Sequence, residues 1–427
     1  MPCPRIAPAD PVALLRTARD LADDLAADAI PRDRAGRPPA DEAARLREAG
    51  LPGALLPPGP RYGTDWRTGC AVVREVATAD SSVGELLARH YALAWSARLH
   101  GPPGAADGLL SESARHDLLW AGALRYAGGP GEGARPDLTL TPLGRGRHVL
   151  DGRRTVPAAV AVADRFLVDA VCAVTGDVVV VRVAPGARGV AVETAGDRLG
   201  QRAAGAGAVV FHRVTVPHSG VVARLPPDEE SAPPRAALVP SVLRLALCHV
   251  GLGIVEGALA EARDAGRRAR RAGLPGGDPD LLLAYGELAS AAHTAAAVVE
   301  RATDRMARAL EEPEAWQGPH APERREAPES PQAVESPQAV ESPRAVEALE
   351  SHPYSGGPDH LVATAETVTA RAALHITARV LELAADAPGL DRFWRNARVL
   401  TAHRSDTDRL RSIGAHYLNS PHHALLN

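Results

Sequence analysis

The residues best placed to do chemistry stand near the C-terminal end, in Asp391-Arg-Phe-Trp-Arg-Asn-Ala-Arg398. Two aromatics and an asparagine sit there among four charges. His403 follows Asn396 by seven residues, two helical turns, so both share a face with Leu400. An Asn–His stripe suits the wall of a lined cavity, and an imidazole can give or take a proton near neutral pH. From spacing alone, a partly exposed helix end carrying a solvated histidine is the commoner source of the same pattern.

Other chemistries are excluded by residue type. All 48 basic residues are arginine. Without lysine there is no Schiff-base enzyme, no GxxxxGK[ST] phosphate loop and no kinase β3 lysine. Gly251-Leu-Gly253-Ile-Val-Glu-Gly257 resembles a dinucleotide fingerprint, but it lies inside a helical pattern and follows no strand. Its glycines read as seats for helix–helix contact. No GxSxG elbow is present, and the 16 histidines form no HExxH, so no metal is expected. His422-His423 reads as solvated. Cys3, Cys70, Cys172 and Cys248 are too far apart for a zinc ribbon or a disulfide framework and read as buried free thiols. A net charge of -4 argues against a nucleic-acid binder. No run of about 20 apolar residues predicts a membrane span. Met1 to Pro11 lacks the basic start and apolar run of a signal peptide, so the expected location is cytoplasmic.

The elements that must position these residues follow from periodicity. The chain has 427 residues, 45% hydrophobic and only 3% aromatic, so its core is built mainly of Ala, Leu and Val. Leu14, Leu15, Ala18, Leu21 and Leu25 fall at helical spacing, in a segment expected to stop at Ile30-Pro31. A helix over 40–49 ends at Gly50, and Asp80-Ser81-Ser82 caps one over 83–99. From about Leu138 to Val222 the period changes. Leu138–Thr141 and His148–Leu150 flank Gly144-Arg145-Gly146 as a hairpin, and 166–174 and 178–183 are strands about the turn Gly176-Asp177. Helical patterns return over 242–271, 280–310, 359–386 and 391–418. The fold class is therefore α+β: an N-terminal helical domain (1–119), a central antiparallel β domain (120–225) and a C-terminal four-helix bundle (226–427).

The bundle is interrupted. Glu329 to Val346 reads ESPQAV, ESPQAV, ESPRAV, and residues 312–350 carry nine Glu against three Arg. Such a segment cannot bury enough apolar surface to fold and is expected to be a disordered loop.

This order of helices, β domain and bundle resembles the acyl-CoA dehydrogenase fold. Arg32-Asp-Arg34, Pro39, Glu42, Leu46-Arg-Glu-Ala-Gly-Leu51 and Arg61-Tyr-Gly63 look like the N-terminal helices of that superfamily. Val250 to Leu259 looks like the first helix of its bundle. Leu390-Asp-Arg-Phe-Trp-Arg-Asn-Ala-Arg398 with His403, Gly414 and Leu418-Asn419 is similar to the C-terminal signature of one branch, the dibenzothiophene monooxygenases and related two-component flavin monooxygenases. The resemblance implies reduced FMN delivered by a separate flavin reductase, with FAD as the alternative cofactor. It implies a C4a-(hydro)peroxyflavin that oxygenates a small-molecule substrate, in a homo-oligomer, a tetramer or dimer. It further implies that His403 is a catalytic proton donor, that His90 lines the pocket as a second catalytic histidine, and that Arg395 and Asn396 orient the cofactor. A core-satisfied histidine on a helix is the bland alternative for His90.

The chain also departs from the family. The second histidine, three before His403, is Leu400, and the Asp-Pro after His403 is Arg404-Ser405. The Phe-x-Ser-Gly type segment reads Val156-Pro-Ala-Ala159, and hydroxyl positions after Gly200-Gln-Arg202 read Ala204, Ala206 and Ala208. The Asn-rich turn reads Ala123-Leu-Arg-Tyr126. Two further readings therefore stand beside the monooxygenase: a flavin-deficient scaffold of the same fold, and an acyl-CoA dehydrogenase, for which no string carrying a carboxylate base is found.

Overall fold

The computed structural model describes residues 10–101, 104–124, 137–225, 234–271, 279–311, 358–384, 387–402 and 405–419. The expected loop at 312–350 and His403 lie outside the described residues.

α1 (Pro11–Ala27) opens on Asp10, whose carboxylate accepts the Val12 N–H, and buries Leu14, Ala18, Leu21 and Leu25 along one stripe. It stops earlier than Ile30-Pro31. These two residues enter the first turn of α2 (Ala29–Ala35), where a proline lacks only an N–H that had no helical partner. α3 (Ala40–Glu48) ends before Gly50, whose φ of 67° is the left-handed conformation expected of it, and α4 (Leu51–Ala54) follows. Asp80 separates α5 (Trp66–Ala79) from α6 (Ser81–His100). Its Oδ1 accepts the amides of Ser82 at 2.9 Å and Val83 at 3.2 Å, as the sequence predicts. α7 (Asp107–Arg115) completes the first helical part.

Eight strands follow: β1 (Trp120–Ala123), β2 (Leu138–Gly144), β3 (Arg147–Val156), β4 (Arg165–Cys172), β5 (Val178–Val183), β6 (Val190–Thr194), β7 (Gly207–Val216) and β8 (Val221–Leu225). They form one sheet in the order β6-β7-β3-β2-β4-β5-β8, with β1 beside β4. The predicted hairpin is β2–β3, turning at Arg145 with φ 53°. The sheet is mixed, not wholly antiparallel as expected. β1 pairs with Arg165 to Val168, and β2 with Val171 and Cys172, so two short strands take one edge of β4 in succession, both parallel to it. Arg154 ties β3 to β4 inside this layer, donating to Asp169 Oδ1 at 2.9 Å and to the Asp169 carbonyl at 2.8 Å.

The helices then resume as α8 (Val239–Arg271), α9 (Pro279–Glu311), α10 (Asp359–Leu383), α11 (Asp391–Thr401) and α12 (Asp406–Asn419). The single helix expected over 391–418 is thus two, and the described bundle has five helices where four were expected. Ser405 explains the restart: its hydroxyl accepts the Asp408 N–H at 3.1 Å, an N-cap bond for α12. α8 runs through the core. A Cβ on Gly253 would lie 2.6 Å from the Ala77 Cβ, and one on Gly257 2.8 Å from the Phe393 ring, so these glycines seat α5 and α11 as predicted. By length and composition α8 and α9 could each cross a membrane. In α8, however, 83% of the apolar window is buried inside the protein, the mark of a core helix. In α9 the buried share is 22%, the rest facing outward. Leu25, Trp66, Phe166, Val250 and Phe393 belong to one continuous core. Cys70, Cys172 and Cys248 are free and buried.

Candidate functional site

α11 turns Arg392, Phe393, Asn396, Ala397 and Leu400 inward, the i, i+1, i+4, i+5, i+8 stripe of an amphipathic helix. Arg392 donates to Glu261 of α8 and lies 4.2 Å from the centre of the Phe393 ring. This anchors the start of α11 on the bundle. The next two polar residues reach the other way, to the β domain.

Arg395 pairs with Asp33 of α2 at 2.5 Å, with Asp391 at 3.0 Å, and donates to the Leu199 carbonyl at 3.1 Å. The buried Asn396 accepts the Gln201 N–H on its Oδ1 at 2.6 Å and donates to Ser81 Oγ at 2.9 Å. The sequence reading has both residues orienting a cofactor. The structure instead gives them protein partners on the loop between β6 and β7, because α11 packs directly on that loop.

His90 is likewise committed. It is fully buried on α6. Its Nε2 lies 3.0 Å from the Pro52 carbonyl, and its Nδ1 accepts the Trp120 N–H at 3.0 Å. That pattern fixes the neutral Nε2–H tautomer, and burial pulls the pKa down to about 4. With both nitrogens on backbone groups, the ring has no donor or acceptor left for a ligand. In this structure His90 bridges α4, α6 and β1.

Beyond Asn396, α11 borders a cleft of about 590 Å³. Leu199, Leu374, Val399 and Ala402 form its apolar walls, and Arg398 and Arg409 bring positive charge. Arg398 is exposed and has no ion-pair partner among the described residues. Arg409 is buried beside Asp406 at 3.4 Å. Leu199 is 52% exposed, and its side chain faces the cleft. Ala402 and Ser405, the residues on either side of His403-Arg404 in the chain, both line the cleft. Asp406 also lines the cleft and sets a carboxylate beside Arg409. Among the described residues no group of three or more His, Cys, Asp or Glu could hold a metal ion.

The β-domain segment read as flavin-facing is closed on itself. Ala159, with φ 60°, donates its N–H to the Ala204 carbonyl at 2.8 Å, and Val160 donates to Gly205 at 2.8 Å. Ala158, Ala159, Ala204 and Ala208 are buried, and Ala206 is half-buried. Nothing in their sequence signals this pairing, and Gln201 and Leu199 were equally invisible as site residues, since their importance rests on partners almost 200 positions away.

No protein-family model matches the chain. It is 27% identical over 418 residues to the probable FMNH2-dependent monooxygenase of Pseudomonas putida, covering 95% of this chain and 94% of that one. Its structure superposes on that of the FMN-bound dibenzothiophene monooxygenase of Paenibacillus sp. A11-2 with a TM-score of 0.76, at 26% identity, over 95% of this chain and 97% of that one. The chain has the acyl-CoA dehydrogenase fold and is similar over nearly its whole length to dibenzothiophene monooxygenases. Butyryl-CoA dehydrogenase of Megasphaera elsdenii shares the fold at 17% identity, with a TM-score of 0.69 over 96% of this chain and 98% of that one. On this fold, the cleft beside α11 is lined by Leu199, Leu374, Val399, Arg398 and Arg409.

Proposed function

We propose that this chain is a reduced-FMN-dependent monooxygenase that oxygenates a small organic substrate with flavin supplied by a separate reductase. The observation that carries the reading is the cleft between α11, α12 and the loop holding Leu199, in a chain similar over nearly its whole length to FMN-dependent monooxygenases. The donor set fits FMN: Leu199, Leu374 and Val399 would face the ring system, and Arg398 and Arg409 the phosphate. Bound reduced FMN would supply the two electrons that let dioxygen give up one oxygen atom to the substrate. His403 would hold and deliver a proton at an imidazole nitrogen, since its neighbours in the chain border the cleft. Leu199 and Val399 would keep water off the reacting atoms. Arg395 and Asn396 would act through the loop they grip.

The test is a titration with oxidised and reduced FMN, followed by mixing with labelled dioxygen and candidate substrates. One labelled oxygen atom in the product is expected. No binding at tens of micromolar would sink the reading and favour the second one, a flavin-deficient scaffold. The buried, mutually bonded alanines Ala159 and Ala204 speak for that alternative, because they leave no hydroxyl for a flavin. Arg398→Ala is expected to weaken FMN binding about tenfold. A hydrogen bond to a charged group is worth about 1.5–3 kcal/mol, and solvent around an exposed arginine keeps the loss near the lower end. Unchanged affinity in that variant would remove Arg398 from the phosphate.

A cytoplasmic homo-oligomer belongs to the same proposal. Its support on this chain is α9, where Leu282 and Leu283 stand 66% and 64% exposed on an apolar helix and would be covered by a second copy.

A further inference from the structure

We propose that Asn396 is a positioning residue that latches the loop between β6 and β7 onto α11 and so sets Leu199 as the β-domain wall of the cleft. The inference rests on the reading of that cleft as the FMN site. Asn396, Ser81 and Gln201 form a closed triangle of hydrogen bonds. The Gln201 N–H donates to Asn396 Oδ1 at 2.6 Å, Asn396 Nδ2 donates to Ser81 Oγ at 2.9 Å, and Ser81 Oγ donates to Gln201 Oε1 at 3.3 Å. All three residues are buried. Gln201 has φ 51°, a left-handed conformation that a non-glycine residue holds only when its surroundings impose it. Asn396 imposes it by taking the amide.

Two independent contacts place the same loop. Arg395 donates to the Leu199 carbonyl at 3.1 Å. Gly200 lies so close to α11 that a Cβ there would collide with the Arg395 carbonyl, and would come within 2.7 Å of the Asn396 nitrogen. Residues 199, 200 and 201 are thus each fixed to α11 by a different interaction. Leu199 is the only one of them that lines the cleft, opposite Arg398 and Val399 on the next turn of the same helix. The latch therefore joins the two walls of the cleft, although they come from the β domain and from a helix about 200 residues later in the chain.

The test compares wild type with Asn396→Leu, Asn396→Asp and Gly200→Ala by FMN titration and by hydrogen exchange of the 199–205 segment and of β5 without flavin. Asn396→Leu is expected to raise the FMN dissociation constant about tenfold and to speed exchange of the segment at least tenfold. Exchange of a distant strand such as β5 should stay at the wild-type rate, a contrast that a general loss of stability would not give. Asn396→Asp keeps the acceptor for the Gln201 N–H but loses the amide donor to Ser81, so its exchange and affinity should fall between those of wild type and Asn396→Leu. Gly200→Ala forces the loop off α11, carrying the Gln201 N–H away from Asn396 Oδ1 with Asn396 itself intact, and should reproduce the weakened binding even if Asn396→Leu fails to fold. Unchanged exchange in both Asn396→Leu and Gly200→Ala would overturn the latch. Faster exchange with unchanged FMN affinity would overturn its role at the cleft. Failure of the wild type to bind FMN would sink the reading of the cleft instead, and the exchange comparison would still decide the latch.

Discussion

His403→Ala is expected to lower product formation by about 10²–10⁴-fold, the usual worth of a positioned proton donor, while leaving FMN affinity within a few-fold. The expectation has two supports. His403 follows the string Leu390 to Arg398 that resembles the C-terminal signature of the dibenzothiophene monooxygenases, and no second histidine stands three residues before it, where Leu400 is found. One imidazole must then do work that a pair could divide. Its chain neighbours Ala402 and Ser405 both border the cleft. The measurement is turnover of labelled dioxygen into product, set beside FMN binding and the consumption of reduced FMN. If the histidine supplies the proton, reduced FMN is still consumed but oxygen transfer to the substrate falls away. His403→Gln keeps polarity without a titrating proton and should behave like the alanine variant. Normal product yield from either would remove the histidine from the chemistry and return it to a solvated helix end.

The second large effect is on stability. The folded chain is expected to weaken steeply as pH falls from 7 to 5. Burial holds the pKa of His90 and His100 down at about 4 and that of His249 at about 3, against 6.5 for each in an unfolded chain. Between those values the unfolded chain takes up protons that the folded chain refuses. Stability from these groups is therefore complete above pH 6.5 and is lost as pH falls toward the folded values. Each such proton contributes about 1.4 kcal/mol per pH unit, so three together give a slope of up to about 4 kcal/mol per unit. That is a large share of the roughly 5–15 kcal/mol that holds an ordinary domain folded. Urea midpoints at pH 7, 6 and 5 would show it, and equal midpoints at pH 7 and 5 would contradict it. His249 can be isolated. Its Nε2 meets only the Thr303 hydroxyl, at 2.8 Å, so His249→Gln should keep that bond and flatten the slope by about one proton.

The local features of this fold are legible in the chain because their causes are local. Asp80 caps α6, Gly50 takes a left-handed turn, and β5 runs over Val178–Val183, all from signals within a few residues of where they act. The break between α11 and α12 was also written there, in Ser405-x-x-Asp408, but the charged pattern running through it masked the cap. The parallel pairing of β1 and β2 with β4 was not legible, since nothing near either strand says which edge it will take. The site shows the same division. The string around Asn396 could be singled out, but not its use. Its partner Gln201 is 195 residues away, and Arg395 meets Asp33 across 362. His90 shows the same limit: a histidine satisfied by two backbone groups looks, in sequence, like one waiting for a ligand.

The glycines of α8 carry a consequence for how such a protein can be inherited. Gly253 and Gly257 let a helix from the C-terminal half lie against Ala77, Thr78 and Phe393, with no room for a side chain between them. The first third and the C-terminal half of the gene therefore encode two sides of a single seam. Neither could be exchanged with a relative as a free-standing module, and a recombinant that crossed between them would have to match backbone to backbone at these two positions. Loops and strand edges can diverge in such a lineage, and the cofactor-facing surface with them. The seam has to travel whole.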